Sequence, residues 1–258
     1  YLSYNFVHKD NWSLKKLLKR IVMSETYKQT SVSNKKMLEI DPLNKYYARA
    51  PRIRLSAEQI RDQALSISEV LSPKMYGPSV MPFQPAGIWS SPYDDRKWIK
   101  SSGEDQYRRA LYTYWKRSSP YPSMVNFDGA AREVCLSRRI KTNTPLQALT
   151  LLNDSTYWDL SVKFAQKIIS KNNVDLNTQI GLAYKKATGK EIDNNIRSIL
   201  KNLYNQSFNK INNGQANGNI QKLLSDSTAN NGMISLAAMS VVTNAILNLD
   251  EVITKNNP

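Results

Sequence analysis

The sequence predicts an all-α fold, an irregular multi-helix bundle carrying a long, ordered insertion rich in proline and aromatics. Three observations predict it. Apolar residues recur at helical spacing in several segments, most of them opened by a capping residue. No segment longer than a few residues alternates like a strand, and no β-α-β rhythm is present. Seven of the eleven prolines fall between Pro73 and Pro122, and nine of the nineteen Trp and Tyr fall between Tyr76 and Tyr121. Proline removes backbone donors, so that middle stretch is not one regular element. It is also too aromatic to be a disordered linker.

The elements follow in chain order. Ser13 is a good N-cap, with Trp12 and Leu17 at the staple positions around it. Leu14, Leu17, Leu18, Ile21 and Val22 then trace one predicted buried face, and Lys15, Lys16, Lys19 and Arg20 fall largely opposite. Gln29 to Lys36 reads as a polar loop, and Asp41-Pro42 starts a turn or a helix. Ser56-Ala-Glu-Gln59 is a capping box, followed by a stripe at Ile60, Ala64, Ile67 and Leu71 that Pro73 stops. The run Arg109–Lys116 is compatible with a short strand or a short helix. Helix returns at Thr144, where a cap hydroxyl, Pro145 at the first helical position and Gln147 at the third coincide. Asn153-Asp154-Ser155 caps the next helix, with an inward stripe at Trp158, Val162, Ala165 and Ile169. Further helices fit Thr178–Thr188 closed by Gly189, Asp193–Asn209, and Gly232–Leu249. The expected organisation is one helical domain over 1–258. It has N-terminal helices to 72, the excursion over 73–143 and C-terminal helices from 144. The chain starts at Tyr1 without a leader, and we read it as a C-terminal fragment of a larger protein.

Composition excludes several functions. One Cys, Cys135, and one His, His8, rule out a disulfide framework, a Cys-rich zinc site and a Cys-x-x-Cys-His haem attachment. No Gly-rich phosphate loop and no Gly-x-Ser-x-Gly elbow occurs. No stretch has the roughly 18 continuous apolar residues that a membrane span needs. The formal net charge is +15. Residues 1–170 hold 27 basic and 15 acidic groups, +12, and residues 171–258 hold 9 and 6, +3. Such a balance suits an acidic partner, an anionic glycan or membrane surface, or nucleic acid, and it also follows from a Lys- and Asn-rich composition.

The densest polar cluster runs from Asp128 to Asp154. Its candidate binding residues are Asp128, Arg132, Glu133, Arg138, Arg139, Asn143 and Asp154, with Trp115 and Arg117 nearby. Guanidinium–carboxylate forks at this density pin loops onto helix bundles, or they hold an anion beside the helix N-terminus at Thr144. Trp89, Tyr93, Trp98, Tyr107, Tyr112, Tyr114 and Trp115, interleaved with Arg96, Arg108, Arg109 and Arg117, suit sugar rings or the packing of a Pro-rich wrap. Cys135 reads as a buried structural thiol and His8 as an ordinary surface or interface residue. No catalytic constellation and no metal set is recognisable.

Several of these segments also resemble a known family. Tyr112-Thr-Tyr-Trp-Lys-Arg117, Pro120-Tyr-Pro-Ser-Met124, Phe127-Asp128, Arg132-Glu-Val-Cys135, Arg138-Arg139 and Thr142-Asn-Thr-Pro-Leu-Gln-Ala-Leu149 through Leu152-Asn-Asp154 are similar to the core of the planctomycete-type domain of unknown function 1553. Trp12-Ser-Leu14, Ser24-Glu-Thr-Tyr27, Arg54-Leu-Ser-Ala-Glu-Gln59 and Asn248-Leu-Asp-Glu251 extend the resemblance along the chain. It implies an exported setting, periplasmic or at the cell surface, as the C-terminal part of a large bacterial protein linked to cytochrome c-like domains. Haem c would then lie elsewhere in the parent, with no cofactor in this domain. The expected role is an accessory, non-catalytic helical domain that packs against the preceding domains of its own chain. The alternative is a module that binds or degrades an acidic or sulfated glycan. Nucleic acid ranks last as a partner.

Overall fold

A computed structural model describes residues 1–85, 97–116, 119–130, 135–170, 174–216, 218–225 and 231–255. Among them are thirteen α-helices, two 3-10 turns and one two-stranded antiparallel sheet, so the protein is all-α as its periodicity predicts. The chain divides into two compact units. Tyr1–Arg54 and the stretch from Thr254 form the smaller, and Leu55–Ile253 form the larger.

The smaller unit holds α1 (Leu2–His8), α2 (Leu14–Val22), α3 (Glu25–Lys28), α4 (Lys35–Ile40) and the strands β1 (Ile53–Arg54) and β2 (Thr254–Lys255). Ile53 pairs with Lys255 and Arg54 with Thr254. Polar side chains hold its turns. The Asp10 carboxylate takes both Arg20 contacts, at 2.7 and 2.9 Å. Asp41 accepts from the amides of Lys45 and Tyr46, each at 2.8 Å, and Arg49 donates to the carbonyls of Asp41 and Pro42. Asp41-Pro42 therefore builds a turn. Ser13 caps α2 as expected, through the Lys16 amide. The predicted buried face of α2 is not buried, however. Trp12, Leu14 and Leu18 are 65, 67 and 60 % exposed, while Leu17 and Ile21 are half-buried. Trp12 leaves its staple position and meets the edge of Phe6. The reason is size: the longest helix of this unit has nine residues, and Ala50 is the one buried apolar side chain among its described residues.

The larger unit carries the core. Its helices are α5 (Ala57–Ile67), α6 (Pro122–Asn126), α7 (Pro145–Asn153), α8 (Ser155–Ile169), α9 (Leu176–Thr188), α10 (Asn194–Asn212), α11 (Gly218–Ser225), α12 (Asn231–Leu247) and α13 (Asp250–Ile253). Two 3-10 turns, Gly103–Tyr107 and Ala110–Tyr112, sit inside the proline-rich excursion. The ambiguous run after Arg109 is thus one such turn followed by extended backbone, where Thr113 bridges Val80.

The cap signals are realised. Ser56 and Gln59 exchange both capping-box bonds, Asp154 accepts from the Thr156 amide at 2.8 Å, and Gly189 ends α9 at φ 77°. Two expectations shift. α5 ends at Ile67, well before Pro73, because Ser68 folds its hydroxyl onto the carbonyls of Ala64 and Leu160 and Glu69 turns left-handed at φ 58°. The buried face of α8 is also wider than one stripe. Leu160, Phe164 and Ala165 are fully buried, whereas Trp158 and Ile169 are half-buried.

The helix packs into two clusters along its length. Its first turns, through Tyr157 and Leu160, join Ile60, Ala64, Tyr121, Phe127 and Leu151, and its later turns, through Phe164, Ala165 and Ile168, join Ile180, Met239, Val242 and Ile246. Between them runs a buried polar seam. Thr243 Oγ1 donates to the Ser161 carbonyl at 2.8 Å, and Asn244 Nδ2 donates to the Leu151 carbonyl at 3.1 Å and to Ser161 Oγ at 3.2 Å. Truncation of the core, Phe164→Ala, is expected to cost about 3–5 kcal/mol. Thr243→Val conserves shape yet orphans buried acceptors, and is expected to cost about 1–3 kcal/mol. Urea unfolding of both variants checks this, with Ile199→Ala on the exposed side of α10 as the near-neutral reference.

Candidate functional site

The polar cluster between Asp128 and Asp154 is built from a sharp reversal after α6. Phe127 is buried, Asp128 is left-handed at φ 59°, and the Gly129 amide returns to the Met124 carbonyl at 2.7 Å. A Cβ at Gly129 would stand 2.7 Å from that same oxygen, so only glycine passes here. The Asp128 carboxylate accepts from the amide and the hydroxyl of Thr142, both at 2.8 Å. Thr142 Oγ1 in turn accepts from Gln147 Nε2, which also donates to the Asn126 carbonyl at 2.9 Å. Asn126 Nδ2 closes the circuit on Thr150 at 3.0 Å. Gln147 Oε1 accepts from the Thr144 amide, completing the start signal read at that position. The cluster thus ties α6, the loop and α7 into one latch.

The predicted site residues divide. Asp128 belongs to the latch. Asp154 is the N-cap of α8. Arg139 reaches Glu58 of α5 through Nη1, at 2.9 and 2.7 Å to its two oxygens. Burial works to raise the Glu58 carboxyl, but the hydrogen bond and charge of Arg139 outweigh it, and the net shift is downward. Arg138 and Asn143 are exposed, and Trp115 is half-buried against the core around Tyr121 and Phe127. Arg117, Arg132 and Glu133 lie outside the described residues, as do Trp89, Tyr93 and Arg96. Cys135 is not a buried thiol. It is exposed, as is every residue from Cys135 to Leu146, because the arm leading to α7 runs over the surface. His8 is exposed with its ring 4.6 Å from that of Tyr4.

The guanidinium that clamps the proline-rich belt is Arg108. It is 1 % exposed, and it donates to the carbonyls of Lys74, Tyr76 and Pro78. Its guanidinium carbon lies 3.7 Å from the centre of the Tyr112 ring, whose hydroxyl accepts from the Tyr76 amide at 2.8 Å. Arg61, also buried, holds the Gln106 carbonyl at 2.9 Å. Sequence reasoning noticed Arg108 among interleaved aromatics but had no signal for its burial. Among the described residues no cluster of His, Cys, Asp and Glu could hold a metal, and no helix is long and apolar enough to cross a membrane.

These features define a class, an all-α domain whose characteristic polar segment is a structural latch flanked by an exposed arm. The chain belongs to the PSD1 family, a protein of unknown function (DUF1553), whose model matches residues 1–204. No curated protein and no solved structure matches it. The matched segment ends inside α10, so α12, which closes the core on α8, lies beyond it.

Two outcomes are expected. Arg108→Leu leaves three carbonyls without their donor and costs at least about 2 kcal/mol, whereas Arg139→Ala, at a half-exposed pair, changes stability by under about 1 kcal/mol. Because the Glu58 carboxyl titrates below its unfolded value, the pair stabilises above the ordinary carboxylate range and is lost as pH falls through the lowered value. The stability gap between wild type and Arg139→Ala, measured by denaturant titration from pH 7 downward, should therefore close in acid.

Proposed function

We propose that this is a non-catalytic accessory domain that docks onto neighbouring domains of its own parent chain. The parent would be a large exported bacterial protein associated with cytochrome c-like domains. One observation carries the reading: two helices turn rows of large apolar side chains toward water. On α2 the row is Leu14, Leu18 and Val22, beside Trp12. On α7 it is Leu146, Leu149 and Leu152, 55, 51 and 38 % exposed. Rows of this kind on helices that are otherwise correctly capped are what an interaction face looks like. Lys15, Lys16 and Lys19 flank the first row, and the arm bearing Arg138 precedes the second, so an acidic rim on the partner would complement both. The candidate polar residues support the same reading, since Asp128, Arg139 and Asp154 are engaged in holding the fold. Family membership is the reason for placing the domain in an exported, haem-associated parent.

The test compares this chain with a longer form that includes the domain preceding it in the parent. Hydrogen exchange over residues 12–23 and 145–153 should slow by at least about tenfold in the longer form. Leu18→Asp and Leu149→Asp should remove that protection while leaving the unfolding of the shorter chain within about 0.5 kcal/mol of wild type. Equal exchange in both forms, or substrate turnover by the shorter chain alone, would overturn the proposal.

A further inference from the structure

In the larger unit, groups far apart in sequence meet at one open cleft of about 220 Å³. Phe83 comes from the proline-rich belt, Lys100 from its return, Gln106 and Tyr107 from the first 3-10 turn, and Thr156 and Asp159 from the opening turns of α8. The base of the cleft is stiff. Trp98 stacks on Tyr121 at 5.9 Å, Trp98 Nε1 donates to the Pro82 carbonyl at 2.7 Å, and the Tyr121 hydroxyl donates to the Phe83 carbonyl at 2.8 Å. A wall held this firmly loses little freedom when a ligand arrives.

The rim supplies polar groups of both kinds. The Tyr107 hydroxyl donates to Asp159 Oδ2 at 3.2 Å, and Lys163 approaches Oδ1 at 3.8 Å. Burial and the Asp159 charge push the Tyr107 hydroxyl up, so it stays a donor at neutral pH. The Asp159 side chain is 49 % exposed, leaving acceptor capacity toward the cleft. Lys100 lies 5.6 Å from the centre of the Phe83 ring and forms no ion pair among the described residues. Among the lining residues one ammonium, Lys100, stands against one carboxylate, Asp159, and the N-terminus of the fifteen-residue α8 adds partial positive charge.

This chemistry narrows the ligand. A single carboxylate does not make a cation site, and one lysine without a glycine-rich loop does not cradle a polyphosphate. The volume falls below the roughly 300–1,000 Å³ of drug-sized pockets, so one ring is the natural occupant. Aromatic faces beside amide, carboxylate and ammonium groups match a ring that is apolar on its C–H face and hydroxylated at its edge. The geometry points to a subsite for one uronic acid unit of an acidic glycan, with Phe83 and Tyr107 against the ring, Asp159 and Gln106 on its hydroxyls and Lys100 on its carboxylate. The glycan reading of the sequence is thereby moved from the arginine run to the belt–α8 cleft. It is independent of the docking role, whose exchange test can pass or fail separately.

Calorimetric titration of the whole chain with a galacturonic acid trimer and with a neutral galactose trimer tests it. Saturable binding of the acidic trimer alone is expected. Lys100→Ala and Asp159→Asn should each weaken that binding by about fivefold or more, the scale of one lost charge-assisted contact. Lys97→Ala, exposed and absent from the cleft lining, should not change it. Thermal unfolding midpoints close to wild type establish that the variants are folded. The proposal is overturned by an absence of saturable binding, by equal binding of the two trimers, or by binding that survives both cleft substitutions.

Discussion

The hydrogen bonds that converge on Ser161 are the constraint on which the larger unit depends. Apolar contacts between helices are strong but non-directional, and a helix can slide or rotate on them at modest cost. Here Ser68 of the α5 cap donates to the Leu160 carbonyl, Thr243 to the Ser161 carbonyl, and Asn244 to both Ser161 Oγ and the Leu151 carbonyl. Each bond is enclosed, since Ser68, Ser161 and Thr243 have no exposed surface. In so dry a place a misregistered helix would strand donors and acceptors, a cost that leucine and phenylalanine packing alone does not impose. Small hydroxyl-bearing residues also let the backbones of α8 and α12 approach closely. The seam sets the register, and the apolar layers on either side supply the bulk of the stabilisation.

The same seam explains how much of the fold was legible in the residues. Helix starts are local, and Ser56, Thr144, Asp154 and Gly189 announced theirs because a cap and its partner lie within a few positions. Burial is not local. Leu14 and Leu18 carry the same periodic signal as Ile60 and Ala64, yet the first pair faces water and the second pair the core. Periodicity reveals that a helix has an apolar side; it does not reveal what covers that side. The end of α5 escaped for a related reason, since Ser68 stops it through a carbonyl 92 residues away.

The candidate site shows a parallel division. A guanidinium does hold the proline-rich belt, but it is that of Arg108 and it grips backbone carbonyls, while the fork at Arg139 ties the exposed arm to Glu58 of α5. A run of charges is conspicuous in a sequence because it is clustered, and clustering favours the solvated surface. An arginine that is fully enclosed stands apart, as Arg108 does, and its acceptors are backbone carbonyls some thirty residues earlier, which carry no residue-type signature. The family segment around Thr144 combines both behaviours. Gln147, Thr150 and Leu151 point inward to the latch and core, while Leu146, Leu149 and Leu152 point out.

The pairing of β1 with β2 has a consequence for how the chain is made. Ile53 and Lys255 are about 200 positions apart, and just inside them the Leu55 amide bonds to the Ile253 carbonyl at 2.9 Å. In sequence, the larger unit is therefore inserted between the two pieces of the smaller one. During synthesis the N-terminal helices emerge long before their missing strand exists. Strand β1 stays unpaired until the residues between it and β2 have been made and their two ends lie side by side. An early stall or truncation anywhere in the inserted body would leave that first segment without its strand.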